Sequence, residues 1–354
     1  MRLLILTQKA DMNDPILGFF HRWIAEFALR CESVIVICLE EGEHRLPANV
    51  KVFSLGKEKK PSRLEYVRRF YSHIWKERDN YDAVFVHMNP VYVVLGGLFW
   101  KTWGKTIGLW YVHRAVNMKL RTAAYFADFI VTASSESFQL KSPKVNVIGH
   151  GIDTGAYSKL VHSVKKPTDA VSLLQVGRIT RIKNCDILIS AAALLRTSWN
   201  REFKVTFIGE PVTADDLIYK KELEEMLAHE SLQGIVEFVG SVPSSQMPER
   251  YRSADASVNL APTGGVDKAV LESLAAGTPA FFSNEAFLGL FGSYTDKFRV
   301  PLRDSAALAG KVRDHFGRSA EPDVIKMLRD RVLDGYGVAG LVSRIISLYH
   351  DASR

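Results

Sequence analysis

Cysteine is scarce in this chain of 354 residues: there are 3, Cys31, Cys38 and Cys185, with no Cys-x-x-Cys pair. An odd number without that spacing argues against a disulfide framework and against a cysteine-bound zinc. It favours a reducing, cytoplasmic setting. Long hydrophobic runs are missing too. The longest, Val84 to Trp100, is broken by His87, Asn89 and Pro90, whereas a membrane-spanning helix needs about 20 mostly apolar residues. The N-terminal run Leu3-Leu4-Ile5-Leu6 is too short for the apolar region of a secretory signal and reads as a buried strand. There is no G-x-G-x-x-G after a strand, no P-loop, no G-x-S-x-G and no H-E-x-x-H. These absences disfavour a nicotinamide oxidoreductase, a P-loop nucleotidase, an α/β-hydrolase and a zinc protease. Negative charge is in mild deficit: 46 Lys+Arg against 39 Asp+Glu leave a formal net charge of +7. The excess points to an anionic partner without naming it. Nucleic acid is disfavoured, because no recognition motif accompanies the charge.

What is present is an alternation. Runs rich in Val, Ile and Leu at Leu3–Leu6, Val34–Leu39, Val50–Leu55, Ala83–His87, Thr106–Val112, Phe129–Ala133 and Val145–Ile148 are separated by helical patterns such as Leu17–Cys31, Arg63–Arg78, Tyr92–Trp103 and Leu120–Phe126. Continuous apolar strands alternating with helices predict a parallel sheet covered on both faces. The pattern pauses at Ser158–Asp169, with its Lys165-Lys166-Pro167, and resumes. The second set of strands is Ser172–Val176, Lys204–Ile208, Ile235–Val239, Ala256–Leu260 and Thr278–Phe282, with helices such as Asp186–Arg196, Ala214–His229 and Ala269–Ala276 between them. The expectation is an α/β protein of two doubly wound, Rossmann-like domains facing across a cleft, residues 1–164 and 165–337. A last helix, residues 338–354, packs back on the first domain. Ligands of such sheets sit outside the carboxyl ends of the strands, where the strand order reverses.

Two segments after strands carry charge in the required place. In Gln175-Val176-Gly177-Arg178-Ile179-Thr180-Arg181-Ile182-Lys183-Asn184, Arg178 and Lys183 follow a buried strand, with Lys183 predicted to open the next helix. Two cations beside a helix N-terminus suit a diphosphate. In Ala261-Pro262-Thr263-Gly264-Gly265-Val266-Asp267-Lys268-Ala269-Val270-Leu271-Glu272, paired glycines let a ligand approach the backbone, and amides of the following helix favour an anion. Glu272, one turn into that helix, can accept hydrogen bonds from sugar hydroxyls. A capped helix with a charged face explains the flanking Gly277 and Pro279, but not the Thr-Gly-Gly-Val-Asp-Lys run.

With these phrases in order, the chain resembles the family-four glycosyltransferases, whose fold is GT-B. "VGRITRIKNCDILISAAALL" is similar to that family's diphosphate segment, and "VEFVGSVPSSQMPERYRSADASVNLAPTGG…LESLAAGTPAFFSN" to its nucleotide-sugar segment. The resemblance is strong over about residues 145–285 and weak over the N-terminal half. It implies that Arg178 and Lys183 hold the donor diphosphate and that Glu272 holds the ribose. It further implies that Phe238 and Val239 frame the nucleobase, and that Gly264, Gly265, Asp267, Lys268, Val270 and Leu271 line the donor. One departure is plain: the family usually carries a second glutamate eight residues before the ribose-binding one, and that position is Gly264. Asp-x-Asp, which glycosyltransferases of the other common fold use to hold a metal, is absent. The resemblance therefore implies a metal-independent, cofactor-free, retaining hexosyl transfer from a UDP- or GDP-sugar to a hydroxyl acceptor, in bacterial or archaeal surface polysaccharide or glycolipid assembly. A hydrolase or epimerase of the same fold, and a non-catalytic nucleotide-sugar-binding partner, are the alternatives.

In the N-terminal half, His113 ends a strand where the family often places a histidine near the donor sugar. His87 and His150 are further strand-end histidines, each as compatible with a structural role. Gly18, in Asp14-Pro15-Ile16-Leu17-Gly18, either lets the backbone approach the donor phosphate or acceptor, or simply starts a helix. The segment Lys57–Lys76 is basic and interleaved with aromatics, and Phe99, Trp100 and Trp103 stand beside Lys101 and Lys105. Both suit peripheral contact with an anionic membrane and a glycan or lipid-linked acceptor at its inner, cytoplasmic face.

Overall fold

The computed structural model describes residues 1–60, 62–158, 170–262, 265–317 and 322–352. The chain divides into two compact units, Met1–Asp153 with Gly337–Arg354, and Thr154–Tyr336. The boundary expected at 164/165 lies outside the described residues.

The first unit holds seven parallel strands: β1 (Arg2–Ala10), β2 (Ser33–Glu41), β3 (Val50–Ser54), β4 (Ala83–His87), β5 (Thr106–Trp110), β6 (Phe129–Thr132) and β7 (Val145–Val147). Their order is β3-β2-β1-β4-β5-β6-β7, which reverses between β1 and β4. Successive strand residues point to opposite faces, and here both faces are apolar. Leu3, Ile5, Val34, Val36 and Phe85 face one core, Leu4, Leu6, Ile35, Ile37 and Val84 the other. Helix α1 (Phe19–Ala28) and the C-terminal helix Val338–Ala352 cover the first face; α2 (Arg63–Lys76), α3 (Pro90–Thr102) and α4 (Met118–Phe126) cover the second. Side chains start three of these helices: Ser62, Asn89 and Asn117 accept from the amides of Glu65, Val91 and Leu120, satisfying donors that have no partner within the helix.

The second unit holds five parallel strands, β8 (Val171–Val176), β9 (Phe203–Ile208), β10 (Val236–Phe238), β11 (Ala256–Asn259) and β12 (Ala280–Phe282), in the order β10-β9-β8-β11-β12. Its helices are α5 (Thr154–Ser158), α6 (Cys185–Ser198), α7 (Ala214–His229), α8 (Met247–Ser253), α9 (Lys268–Ala275), α10 (Leu288–Phe291), α11 (Thr295–Phe298), α12 (Ser305–Gly317) and α13 (Pro322–Gly335). Both sheets are thus parallel, Rossmann-like and reversed in order at their first strand. All twelve expected strands are present. Not expected were α5, which takes up Ser158 at the start of the expected linker, the short turns of α10 and α11, and α13; residues 159–169 of that linker lie outside the described residues.

The C-terminal helix returns to the first unit. Val338 donates to the Ile152 carbonyl at 2.9 Å, Arg344 to Ile148 at 3.0 Å, and the buried Tyr349 hydroxyl to the Val84 carbonyl of β4 at 2.6 Å. Burial pushes the Tyr349 hydroxyl far above its ordinary range, so it acts as a neutral donor. Tyr349→Phe removes this bond. The expected loss is about 1–2 kcal/mol, read as a lower melting temperature in a circular-dichroism melt.

Candidate functional site

In the second unit the strand order reverses between β8 and β11, so the loops leaving their carboxyl ends run to opposite sides of the sheet. The loop after β8 begins at Gly177 (φ 141°) and passes close to Gly209 (φ 136°), which follows β9. A Cβ on Gly209 would lie 2.0 Å from the Gly177 carbonyl oxygen, so only glycine lets these two backbones meet. Hydrogen bonds continue beyond the strand ends: Gly177 donates to Ile208 at 2.9 Å, Gly209 to Gly240 at 2.8 Å and Ile179 to Glu210 at 3.2 Å. Ile179 is buried beneath the loop. Arg178, one residue before it, is exposed and has no hydrogen bond or ion pair among the described residues.

Lys183 does not open a helix. It ends the short 3-10 turn Arg181–Lys183, after which Asn184 adopts a left-handed conformation (φ 49°) and α6 starts at Cys185. An Asn tolerates that backbone better than most residues, so the chain reverses locally and turns the Lys183 side chain toward β11. The Asn184 amide donates to the Leu260 carbonyl at 2.7 Å, and the Gln175 amide to the Lys183 carbonyl at 3.0 Å. The loops after β8 and β11 are therefore stitched together.

Asp267 is the centre of the stitch. One carboxylate oxygen caps α9 through the Ala269 amide at 3.2 Å; the other accepts from Asn259 Nδ2 at 3.0 Å and pairs with the Lys183 ammonium. Burial works against a charged Asp267, yet Lys183, Asn259 and the Ala269 amide together hold its carboxyl well below the usual carboxylate range. Lys268 and Glu272 stand one turn apart on the same helix. Burial pushes the Lys268 ammonium down, against the pull of Glu272 and Asp267. Burial likewise pushes the Glu272 carboxyl up; Lys268 opposes that shift, Asp267 adds to it and the Tyr251 hydroxyl opposes it. The Gln175 and Asn259 carbonyl oxygens, both buried at the ends of these strands, have no hydrogen-bond partner among the described residues. An unmatched buried acceptor costs about 1–3 kcal/mol, and such costs concentrate where a ligand supplies the missing donor.

The remaining expected donor residues distribute as follows. Phe238 stacks on Phe207 with ring centroids 4.8 Å apart, and Val239 is exposed, its amide donating to the Phe207 carbonyl at 3.0 Å. The Gly265 carbonyl accepts from Asn284 at 3.3 Å; Gly264 lies outside the described residues. Val270 and Leu271 belong to the hydrophobic core, which leaves their side chains no access to a ligand. Gln175, Asn184, Asn259 and Tyr251 were not among the expected site residues. For Gln175 and Asn259 the signal is a polar group inside an otherwise apolar strand, as in Gln175-Val176 and Val258-Asn259; Asn184 and Tyr251, in a turn and a helix, carry no such signal.

Gly18 and His113 belong to the first unit. Gly18 is buried in helical conformation at the start of α1, its amide donating to the Asp14 carbonyl at 2.9 Å. His87 is buried and stacked on Phe20 at 3.8 Å, with Phe19 and Trp23 beside it. His150 is buried between Trp23 and Trp110. His113 is exposed after β5, its Nδ1 accepting from the Ala115 amide at 3.2 Å. Trp75, Phe99 and Trp103 form a surface ring cluster, with Trp75 51% exposed and Arg78 5.7 Å over its ring. Several of the other groups expected on this basic face are committed elsewhere. Trp100 is core and donates to Tyr81, Lys101 pairs with Asp128, Lys105 donates to the Tyr81 carbonyl, and Arg68 and Arg69 share Glu65. Among the described residues no helix is long and apolar enough to cross a membrane, and no cluster of three or more His, Cys, Asp or Glu could hold a metal ion.

Residues 158–316 match the family model described as Glycosyl transferases group 1. The chain is 28% identical over 144 residues, 38% of its length, to a D-inositol 3-phosphate glycosyltransferase of Streptosporangium roseum. It spans about a third of the length of the curated relatives it matches. Among solved structures it is similar to HepE of Anabaena in complex with UDP and glucose (TM-score 0.77, 15% identity, 98% of this chain and 99% of that one). It is also similar to sucrose-phosphate synthase of Thermosynechococcus elongatus (TM-score 0.75, 15% identity, 99% of each). The two parallel-sheet Rossmann-like units are those of the GT-B glycosyltransferase fold.

Two outcomes follow from this geometry. Gly209→Ala forces a side chain into the Gly177 carbonyl and a left-handed backbone on alanine; a loss of ~2 kcal/mol or more is expected in denaturant unfolding. Asp267 has a folded-state carboxyl below its unfolded value of about 3.9, so its contribution to stability is present above that pH and fades as pH falls through it. The melting-temperature difference between wild type and Asp267→Asn should therefore be full near pH 7 and shrink below about pH 4.

Proposed function

We propose that this chain transfers a glycosyl group from a nucleoside diphosphate sugar, of the UDP or GDP type, to a hydroxyl acceptor, with retention of configuration. One observation carries the reading: at the strand-order reversal of the second unit Lys183, in the loop after β8 that also carries Arg178, pairs with Asp267 at the start of α9, the helix that carries Lys268 and Glu272, and all five lie inside the segment that matches the glycosyltransferase model. The diphosphate lies along Arg178 and Lys183. Glu272 accepts from the ribose hydroxyls, and the strand end at Phe238 and Val239 borders the base. His113 contacts the donor sugar.

In the transfer the anomeric C–O bond to the diphosphate breaks and a bond to the acceptor oxygen forms on the same face. The acceptor's proton passes to the leaving diphosphate. Cations placed where that diphosphate gains charge supply the largest electrostatic contribution, with no metal ion or cofactor required by the reading. The exposed ring of Trp75, with Phe99 against it and Arg78 over it, favours a lipid-linked acceptor met at the cytoplasmic face of an anionic membrane, as in surface polysaccharide or glycolipid assembly.

A thermal-shift panel of UDP, GDP and their sugars, followed by product analysis with and without acceptor, tests the reading. Arg178→Ala should lower both diphosphate affinity and turnover at least tenfold, and Glu272→Gln should raise the donor KM several-fold. Wild-type kinetics in both variants would remove the site. Rapid turnover of donor without acceptor would point instead to a hydrolase or epimerase.

A further inference from the structure

We propose that Asp267 is a specificity-determining residue: held in place as the internal counter-ion of Lys183, it sets how much negative charge a ligand must bring to this edge of the sheet. The inference rests on the nucleotide-sugar reading above and deepens it.

Asp267 is fixed by partners on three elements: the Ala269 amide of α9, Asn259 at the end of β11 and Lys183 after β8. Moving it aside would uncap the helix and leave Asn259 Nδ2 without its acceptor. Lys183 is held in turn by its own loop, since Gln175 grips its carbonyl and Asn184 grips Leu260. The ion pair is thus a rigid clasp rather than two mobile surface chains meeting by chance. Its side chains are only 19% and 23% exposed, so salt screens it less than a surface pair.

A diphosphate that approaches Lys183 therefore meets an ammonium already neutralised and a carboxylate beside it. Repulsion from that carboxylate scales with ligand charge. It acts weakly on a monophosphate, strongly on a diphosphate and not at all on a nucleoside. Arg178, exposed and unpaired among the described residues, supplies the first attraction. Asp267 then keeps the affinity for the leaving diphosphate low enough for product release. A neutral side chain at 267 that still caps α9 would leave the fold intact and lift the repulsion.

The test is calorimetric titration of wild type, Asp267→Asn and Asp267→Ser with uridine, UMP, UDP and the guanosine equivalents at two salt concentrations. Asn and Ser both cap helices, so either variant alone keeps the test alive if the other fails to fold. Expected is about tenfold tighter UDP or GDP binding in both variants, a smaller gain for the monophosphate, none for the nucleoside, and a steeper salt dependence. Unchanged or weaker diphosphate binding in the folded variants, with wild type still binding, would overturn the counter-ion role while leaving the nucleotide-sugar reading in place. No diphosphate binding by wild type or variants would overturn that reading, and the counter-ion role with it.

Discussion

The contact between the Lys183 ammonium and the Asp267 carboxylate joins the loop that follows β8 to the helix that follows β11 and sets the charge balance of the candidate site. These strands are neighbours in the sheet, but their outgoing chains depart to opposite sides. Parallel pairing alone brings the strand ends together and then lets the loops diverge. An ion pair between residues 84 positions apart in sequence, flanked by a hydrogen bond between residues 76 apart, closes that divergence.

Its energetic worth differs from its structural worth. Taking both charges partly out of water costs several kcal/mol per ion, and the attraction returns roughly that much. The pair is therefore a poor source of net stability. Removing one partner, by contrast, leaves an uncompensated charge among buried groups, so the pair strongly specifies one arrangement of the two loops. The same balance governs Lys268 and Glu272, where burial pushes both groups toward neutrality and their mutual attraction resists. Three cations and two carboxylates leave the edge with a small positive excess, matched to an anion but not saturated by it. The chain's overall charge of +7 conveys none of this, since most of it lies on other surfaces.

Much of the fold was legible because its signal is periodic. Leu3 to Leu6 are apolar at every position, which a strand buried on both faces requires and a half-exposed strand does not. The positions of Arg178, Lys183 and Glu272 followed from their place after strands. The clasp was not legible, because no local pattern says that Lys183 turns toward Asp267. That direction is set by Asn184 in a left-handed conformation and by the close approach of Gly177 and Gly209, both of which are tertiary facts. The helix Pro322–Gly335 and the short turns over residues 285–298 escaped for another reason. The turns are too short to show a helical period, whereas the helix does carry one, with Val324, Leu328 and Val332 buried at four-residue spacing, and was passed over. On the basic face, spacing showed the lysines but not their acids: Lys101 is taken by Asp128 and Arg69 by Glu65.

The two units share one topology and put it to different uses, which shows that the strand-order reversal is a permission and not a site. In the first unit the edge at β1 and β4 is filled with rings. His87 lies flat on Phe20, Phe19 and Trp23 close around it, and Thr7 meets its Nδ1 at 3.4 Å. A histidine held this way gains packing and loses access, since the space a ligand would need is occupied by aromatic carbon. In the second unit the equivalent edge carries an exposed guanidinium, a clasped ammonium and two buried acceptors without hydrogen-bond partners among the described residues. Aromatic filling lowers the energy of the first edge outright. The second edge retains hydrogen-bonding capacity that a ligand or an ordered water can meet. The proposed diphosphate site therefore falls at the edge whose buried acceptors are unmatched among the described residues.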